Sequence, residues 1–442
     1  MRSKPWLVAV LGLALVGTCA VSVWTLYTGV AWLAAADMSL DVLRGRGREN
    51  TVEIVAHARY PFGGPVALTV ETSAGDVDVR AGQGGAVEVR TIRRGWARTA
   101  AAAEAAARAV VVTVRPSTDA LALAYEAPER ERLLDTGPRV GVSFIVTVPR
   151  ATTVTLTTGP GDLTLRGTRG AATLTAAFGE IEVADLEGTL AAESRTGEVI
   201  LDGVHAGGGD VSASTAFGDV RATRVVGRDV TLGSRAGDVV AEDLVATGEA
   251  LLESGFGGVG ATSVRAGALS ATSDNGAVEV RGGEVTGTLT AHSHFGDVDV
   301  GGVRAASYHL RSSNGSLTLS GPTGALDLDT GFGDIDVTGA SDALLTLSSR
   351  NGRVAFAGHL SPRGSHSVRS DFGDIELSLP ADSALDLELE TGFGKIRSEL
   401  PVTVRGDVEP RRWAGALNGG GARLVASTKN GQIVLTPLPA SR

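Results

Sequence analysis

A glycine returns along this chain about every 19 to 20 residues, with the same short pattern around it each time. Taken as position zero, it falls at Gly161, Gly179, Gly197, Gly218, Gly237, Gly257, Gly276, Gly296, Gly315, Gly333, Gly352, Gly373 and Gly394. A further copy sits at Gly431 and an isolated early one at Gly75. The residue two after the glycine is Val, Leu or Ile in every copy, from Val77 and Leu163 to Ile396 and Ile433. Two further on, the position is apolar in every copy but Ser398. Before the glycine, the pairs Leu326/Leu328, Leu345/Leu347 and Leu387/Leu389 keep the same period of two. Side chains alternate across a strand, so each run has one buried and one wet face. Ala325 to Val337, ALDLDTGFGDIDV, is the clearest copy.

One repeat cannot bury its own apolar face, whereas stacked repeats build a continuous core from nearest-neighbour contacts. The period therefore predicts an all-β chain, a parallel β-helix (a single-stranded β-solenoid) of about 19–20-residue repeats. Each repeat is two short strands around a glycine corner where a positive φ is expected. A third apolar position, seven residues after the glycine, predicts a further short side: Leu186, Val204, Val225, Leu244, Val264 and Val303. Asn-Gly at 275–276, 314–315, 351–352 and 430–431 is also a hairpin signal, which keeps an antiparallel meander as the competing fold. Phenylalanine precedes the glycine at Phe178, Phe217, Phe256, Phe295, Phe332, Phe372 and Phe393, in alternate copies through most of the array. Coils of about 19 residues with alternating bulky and small corners fit this, and so do coils of about 39 residues that stack like on like. The short coil is the preferred reading.

Three segments follow. Residues 1–37 hold Arg2 and Lys4 and then an uncharged run from Trp6 to Ala36, long enough for an N-terminal transmembrane helix. Ala34-Ala35-Ala36 leaves room for a cleaved signal, and Leu15 to Cys19 faintly resembles a lipoprotein box. The basic residues place the N-terminus in the cytoplasm and the main domain outside, in a single-pass protein of the cell membrane. Residues 38–150 read as a linker with Arg44, Arg46 and Arg48, followed by an N-terminal α+β capping region with one helix candidate at 99–109. Residues 151–442 read as the β-solenoid repeat domain, interrupted between Gly394 and Gly431. Cys19 is the sole cysteine, so no intramolecular disulfide forms and no Cys-rich metal site exists. A net charge of −10 argues against a nucleic-acid partner.

The corners TGFGDIDV and SSNGSLTL, the VTVP step at 146–149 and the closing STKNGQIVL resemble the toastrack β-solenoid family over roughly residues 66–438. Members are often labelled "putative adhesin". The resemblance implies a parallel β-helix and a bacterial envelope protein, in several cases near stress-sensing systems. It carries over no catalytic residues.

The residues themselves give few candidates for chemistry. Nine corner glycines are followed by an acid: Asp76, Asp162, Glu180, Glu198, Asp219, Asp238, Asp297, Asp334 and Asp374. Such a column offers oxygens to calcium. The bland reading, which is preferred, has the carboxylates bonding turn backbone in solvent. His292 and His294, near Asp297 and Asp299, have a spacing that zinc accepts, but no third ligand is evident and surface histidine is the default. Arg411, Arg412 and Trp413 have an interface composition, and covering the last coil is their bland alternative. Corners are short throughout, so nothing walls a cleft, and no nucleotide or hydrolase motif appears. The sequence therefore predicts no catalytic, cofactor or metal site and no enzyme. The expected role is a membrane-anchored extracytoplasmic module for adhesion, interaction or envelope stress, with an unknown protein or glycan partner. The alternatives are a structural spacer that self-associates through its solenoid ends and, remotely, a polysaccharide-acting β-helix enzyme.

Overall fold

The computed structural model describes residues 50–127, 138–405 and 409–439. Residues 1–37, read above as the membrane segment, and the Arg44–Arg48 linker lie outside them. No helix among the described residues is long and apolar enough to cross a membrane. The chain is an all-β parallel β-solenoid, 3% helical.

The backbone register fixes both the direction and the length of a coil. Ala172 pairs with Leu190, Leu190 with Val211 and Val211 with Val230, all in parallel. Each step is one glycine repeat, so the short coil is the one that forms. The Asn-Gly corners follow the same rule. Asn314 lies between Phe295 and Phe332 in parallel register, and no hairpin turns there.

The chain divides into two compact units. The smaller comprises 50–54, 94–109 and 138–140 among the described residues. Its helix, Ala100–Ala109, starts where the Thr99 hydroxyl accepts the Ala102 N–H at 3.2 Å. Gly95 lets this helix approach, since a Cβ there would lie 2.1 Å from the Ala103 carbonyl oxygen. Arg94 pairs with Glu53 at 2.7 Å.

The larger unit is the coil stack. The apolar residue two after each glycine is at most 5% exposed from Val77 to Ile433, which places this column in the core. The third side forms as well. Leu186, Val204, Val225, Leu244, Val264 and Val303 are all buried, and Leu186 pairs with Val204 in parallel. Tyr308, the largest fully buried side chain, closes one such side. Its hydroxyl donates to the Val303 carbonyl at 2.6 Å and accepts the Ala305 N–H at 3.0 Å.

At both ends the stack departs from chain order. Val66–Thr72 pairs with Thr152–Pro160 on one side and with Ala120–Tyr125 on the other. Val77–Gly82 likewise lies between Arg139–Pro149 and Leu163–Arg166. The coils therefore begin before residue 151, inside the stretch that the repeat period assigns to a capping region. The insertion between Gly82 and Ala120 breaks the period there, although the alternation of Val66, Leu68 and Val70 survives. At the other end, Ala422–Asn430 is seated between Ser365–Phe372 and Leu385–Phe393. Ile433–Pro437 is seated between Ile375–Leu379 and Ile396–Ser398. The final strands of the chain thus occupy the second-last place in the stack. Antiparallel strands cover both terminal coils: Thr113–Pro116 lies on Ala120–Tyr125, and Arg412–Leu417 lies on Leu385–Phe393. Val402–Val404 in turn covers Arg412–Leu417. Covered edges do not template further pairing.

Candidate functional site: the rows at the glycine corner

Four columns of like residues run along the stack at the corner. The glycines form the first. A Cβ built on Gly333 would lie 2.2 Å from the carbonyl oxygen of Gly315, and one on Gly197 would lie 1.9 Å from that of Gly179. Gly333 also has a φ of +155°. Gly276 meets the same clash at 2.2 Å without a left-handed φ. The expected positive φ therefore holds in some copies only, and the close approach of successive corners is the general reason for glycine.

The second column escaped the sequence reading. Three residues before the glycine, in most copies, stands a buried hydroxyl that donates to the glycine carbonyl of the neighbouring coil; Ala176 takes that place in the Gly179 copy. Ser254 reaches Gly237 at 2.8 Å, Ser293 reaches Gly276 at 2.8 Å and Thr330 reaches Gly315 at 2.8 Å. These oxygens satisfy carbonyls that a corner leaves without a strand partner. The signal was present as recurrent Ser or Thr at that offset, in TGFG and SSNG alike.

The third column is the acids. The seven aspartates each accept a backbone N–H of the next coil, as Asp162 takes Glu180 N at 2.9 Å, Asp238 takes Gly258 N at 2.8 Å and Asp334 takes Arg353 N at 2.7 Å, whereas Glu198 pairs with Arg221. The carboxylates hold coil to coil, a more specific role than bonding their own turn. Burial, then Asp162 and Glu198 above and below, push the Glu180 carboxyl up from the ordinary glutamate range. Among the described residues, no three His, Cys, Asp or Glu side chains gather as a metal site.

The fourth column is exposed. Phe178, Phe217, Phe256, Phe295, Phe332, Phe372 and Phe393 are 52–71% open to solvent, whereas Phe144 and Phe356 elsewhere are at most 1% exposed. Register places Thr196, Ala236, Asn314, Asn351 and Asn430 on the rungs between them. The rings therefore stand out from smaller neighbours and do not fold down over them.

The remaining candidates sit apart. The rings of His292 and His294 are 4.6 Å apart, and His294 Nδ1 faces Asp274 Oδ1 at 3.1 Å. Their neighbour is not Asp299, which pairs with Arg281. Burial, then His294 and Arg311, hold the His292 pKa below the usual histidine value. Trp413 lies in the covering strand opposite Leu389, with its indole N–H donating to the Glu409 carbonyl at 2.9 Å, so the bland reading of this residue is the one that forms. Arg411 lies 5.8 Å over the ring of Phe393, the last rung of the aromatic column. An open depression of about 420 Å³ lies between Gln83, Arg150, Glu187 and His205.

A family model described as Toastrack DUF4097 matches residues 66–321 and 288–436. No curated protein matches the chain. Among solved structures, a putative cell adhesion protein from Clostridium sporogenes is similar at 8% identity, over 88% of this chain and 100% of that one, with a TM-score of 0.18. A putative adhesin from Bacteroides fragilis is similar at 13% identity, over 64% of this chain and 97% of that one, with a TM-score of 0.26. Both scores are too low to carry an argument. The family match alone spans most of the chain, from the innermost N-terminal coil to the closing strands, and the chain belongs to the Toastrack family.

Proposed function

We propose that the protein is a non-enzymatic interaction module, anchored in the cell membrane by its N-terminal segment and displayed on the outer side. The observation that carries this reading is the aromatic column. Seven phenylalanines in one line, more than half exposed, are not needed for the core and are costly to leave in water. A soluble chain keeps such a line where a partner covers it. The covering strands support the same reading over an end-to-end polymer, because neither Ala120–Tyr125 nor Leu385–Phe393 offers a free parallel edge. The depression at Arg150 adds no support for a hydrolase, since Glu187 there is held by Arg169 at 2.6 Å.

Protease added to intact cells that express the full chain tests the placement, and attachment or aggregation of those cells tests the role. The wild type is expected to be trimmed from outside and to support attachment that a Phe217→Ser/Phe256→Ser variant loses. Protection from external protease, equal attachment by the variant, or turnover of a polysaccharide by the purified chain would each overturn the reading.

A further inference from the structure

We infer that the outer edge of the strand Asn50–Pro61 pairs with the same strand of a second copy of this chain, antiparallel and centred on Ala56. The inference is independent of the aromatic column and rests on the backbone. Asn50–Pro61 runs beside Ala86–Ala97. Glu53 meets Arg94, Arg59 meets Glu88, and the Phe62 N–H donates to the Gly85 carbonyl at 3.0 Å. One position rises as its partner falls, so the two strands are antiparallel. A strand turns its N–H and C=O groups to one neighbour and then the other in alternate residues. Phe62 bonds inward, and the even-numbered residues follow it. Thr51, Glu53, Val55, His57 and Arg59 therefore turn their backbone groups to the outer edge. Pro61 falls in the same set, on the side where a strand tolerates a missing N–H.

Among the described residues, Ala86–Ala97 is the strand that pairs with Asn50–Pro61, and the outer edge carries none. The edge is 12 residues long, and Val55 on it is 40% exposed. A long edge with apolar side chains is a template for another strand.

Charge complementarity names the occupant and the register. With two copies centred on Ala56, Glu53 of each stands opposite Arg59 of the other. Both residues bond outward, so each such pair exchanges two backbone hydrogen bonds. In the single chain Arg59 lies 3.6 Å from Glu88 and its side chain is 71% open, while that of Glu53 is 49% open. Across the dimer, Arg94, Glu53, then Arg59 and Glu88 of the second copy form a row of alternating sign over four strands. On the opposite face Val52 meets Tyr60, a favourable pair of β-branched and aromatic side chains, and Ile54 meets Ala58. Ala56 meets itself on the axis. Moving the centre to Val55 or His57 removes both Glu–Arg pairs, so the register is specified. A foreign strand would find the same backbone groups, whereas this sequence also answers both charges. Each copy uses its one edge, so the contact closes at two copies and does not propagate.

The test uses the full chain in detergent, read by sedimentation and by cross-linking. Glu53→Arg and Arg59→Glu each set like charges opposite one another in their own homodimer, and each is expected to lower the dimer fraction about tenfold or more. Mixed together, the two variants complement at both pairs and are expected to dimerise again. Val55→Pro removes an outward N–H alone and is expected to abolish the dimer without lowering the melting temperature, whereas Ala56→Pro removes an inward one and is expected to lower it. On a Cys19→Ser background, Ala56→Cys is expected to form a disulfide with its own copy, because residues on the axis have Cβ atoms about 5 Å apart. Ala58→Cys, displaced ~14 Å from its own copy in this register, is expected not to. A wild type that stays monomeric at every concentration overturns the inference. So do a mixture of the two charge variants that fails to dimerise, and linking at Ala58→Cys as strong as at Ala56→Cys.

Discussion

Ser254 shows how much of this fold is decided by single atoms. Its side chain is small and polar, sits at 4% exposure, and serves one carbonyl of the neighbouring coil. Ser254→Ala leaves the Gly237 oxygen without that donor, and a loss of about 1–2 kcal/mol is expected in chemical denaturation. Gly333→Val is expected to cost more, at least ~3 kcal/mol, because the new Cβ meets backbone 2.2 Å away at a φ of +155°. Ser348→Val, at a half-exposed site on the same coil, is the control and should change little. Equal losses at both positions would show that the corner does not bear the constraint. The glycines were legible in the sequence because nothing else replaces them. The hydroxyls were not, since Ser and Thr read as surface residues unless their carbonyl partner is known.

The elements were legible wherever alternation alone defines them. Ile335 and Val337 point inward and Asp336 outward as their spacing requires, and the third side at Leu186 and Val204 follows from one recurrent offset. Elements whose chemistry is set by a fold-specific neighbour were not legible, and His366 is the clearest. It lies in Ser365–Phe372, fully buried, with Nε2 donating to the Ser361 carbonyl at 3.0 Å and Nδ1 accepting the Leu345 N–H at 3.4 Å. Burial lowers its pKa from the ordinary value near 6.5. In the window between the lowered folded pKa and about 6.5, the unfolded chain binds the extra proton, so stability falls as the pH drops below about 6.5. Glu180 has the opposite sign. Its pKa is raised in the fold, so acidification through the carboxylate range relieves it, and Glu180→Gln is expected to raise the melting temperature at pH 7 and not at pH 4. Melting curves of the wild type, Glu180→Gln and His366→Gln across pH 4 to 7.5 check both. His366→Gln should flatten the slope below about pH 6.5, and an unchanged slope would remove His366 from the account.

At the scale of the whole stack, sequence position and spatial position part company, and stability should follow the second. Repeat arrays fray from their ends, and chain termini usually tolerate change. Here the last strands of the chain are interior. Ile433, in the last strand of the sequence, is fully buried and paired with Ile375 on one side and Ile396 on the other. Ile396, earlier in the chain, has one parallel neighbour and is 5% exposed. Ile433→Asp leaves an unpaired carboxylate between two coils and also strips the terminal coil of its support. Its cost is therefore expected to match that of Ile335→Asp in mid-stack, several kcal/mol. Ile396→Asp, beside the covering strand, is expected to cost less and to loosen only the Leu385–Ser398 coil. Thermal melts of the three variants, with hydrogen exchange read at Leu377 and Leu435, separate the two cases. If Ile433→Asp proves the mildest of the three, the closing strands do not lock the stack, and the array frays from its C-terminus as an ordinary solenoid does.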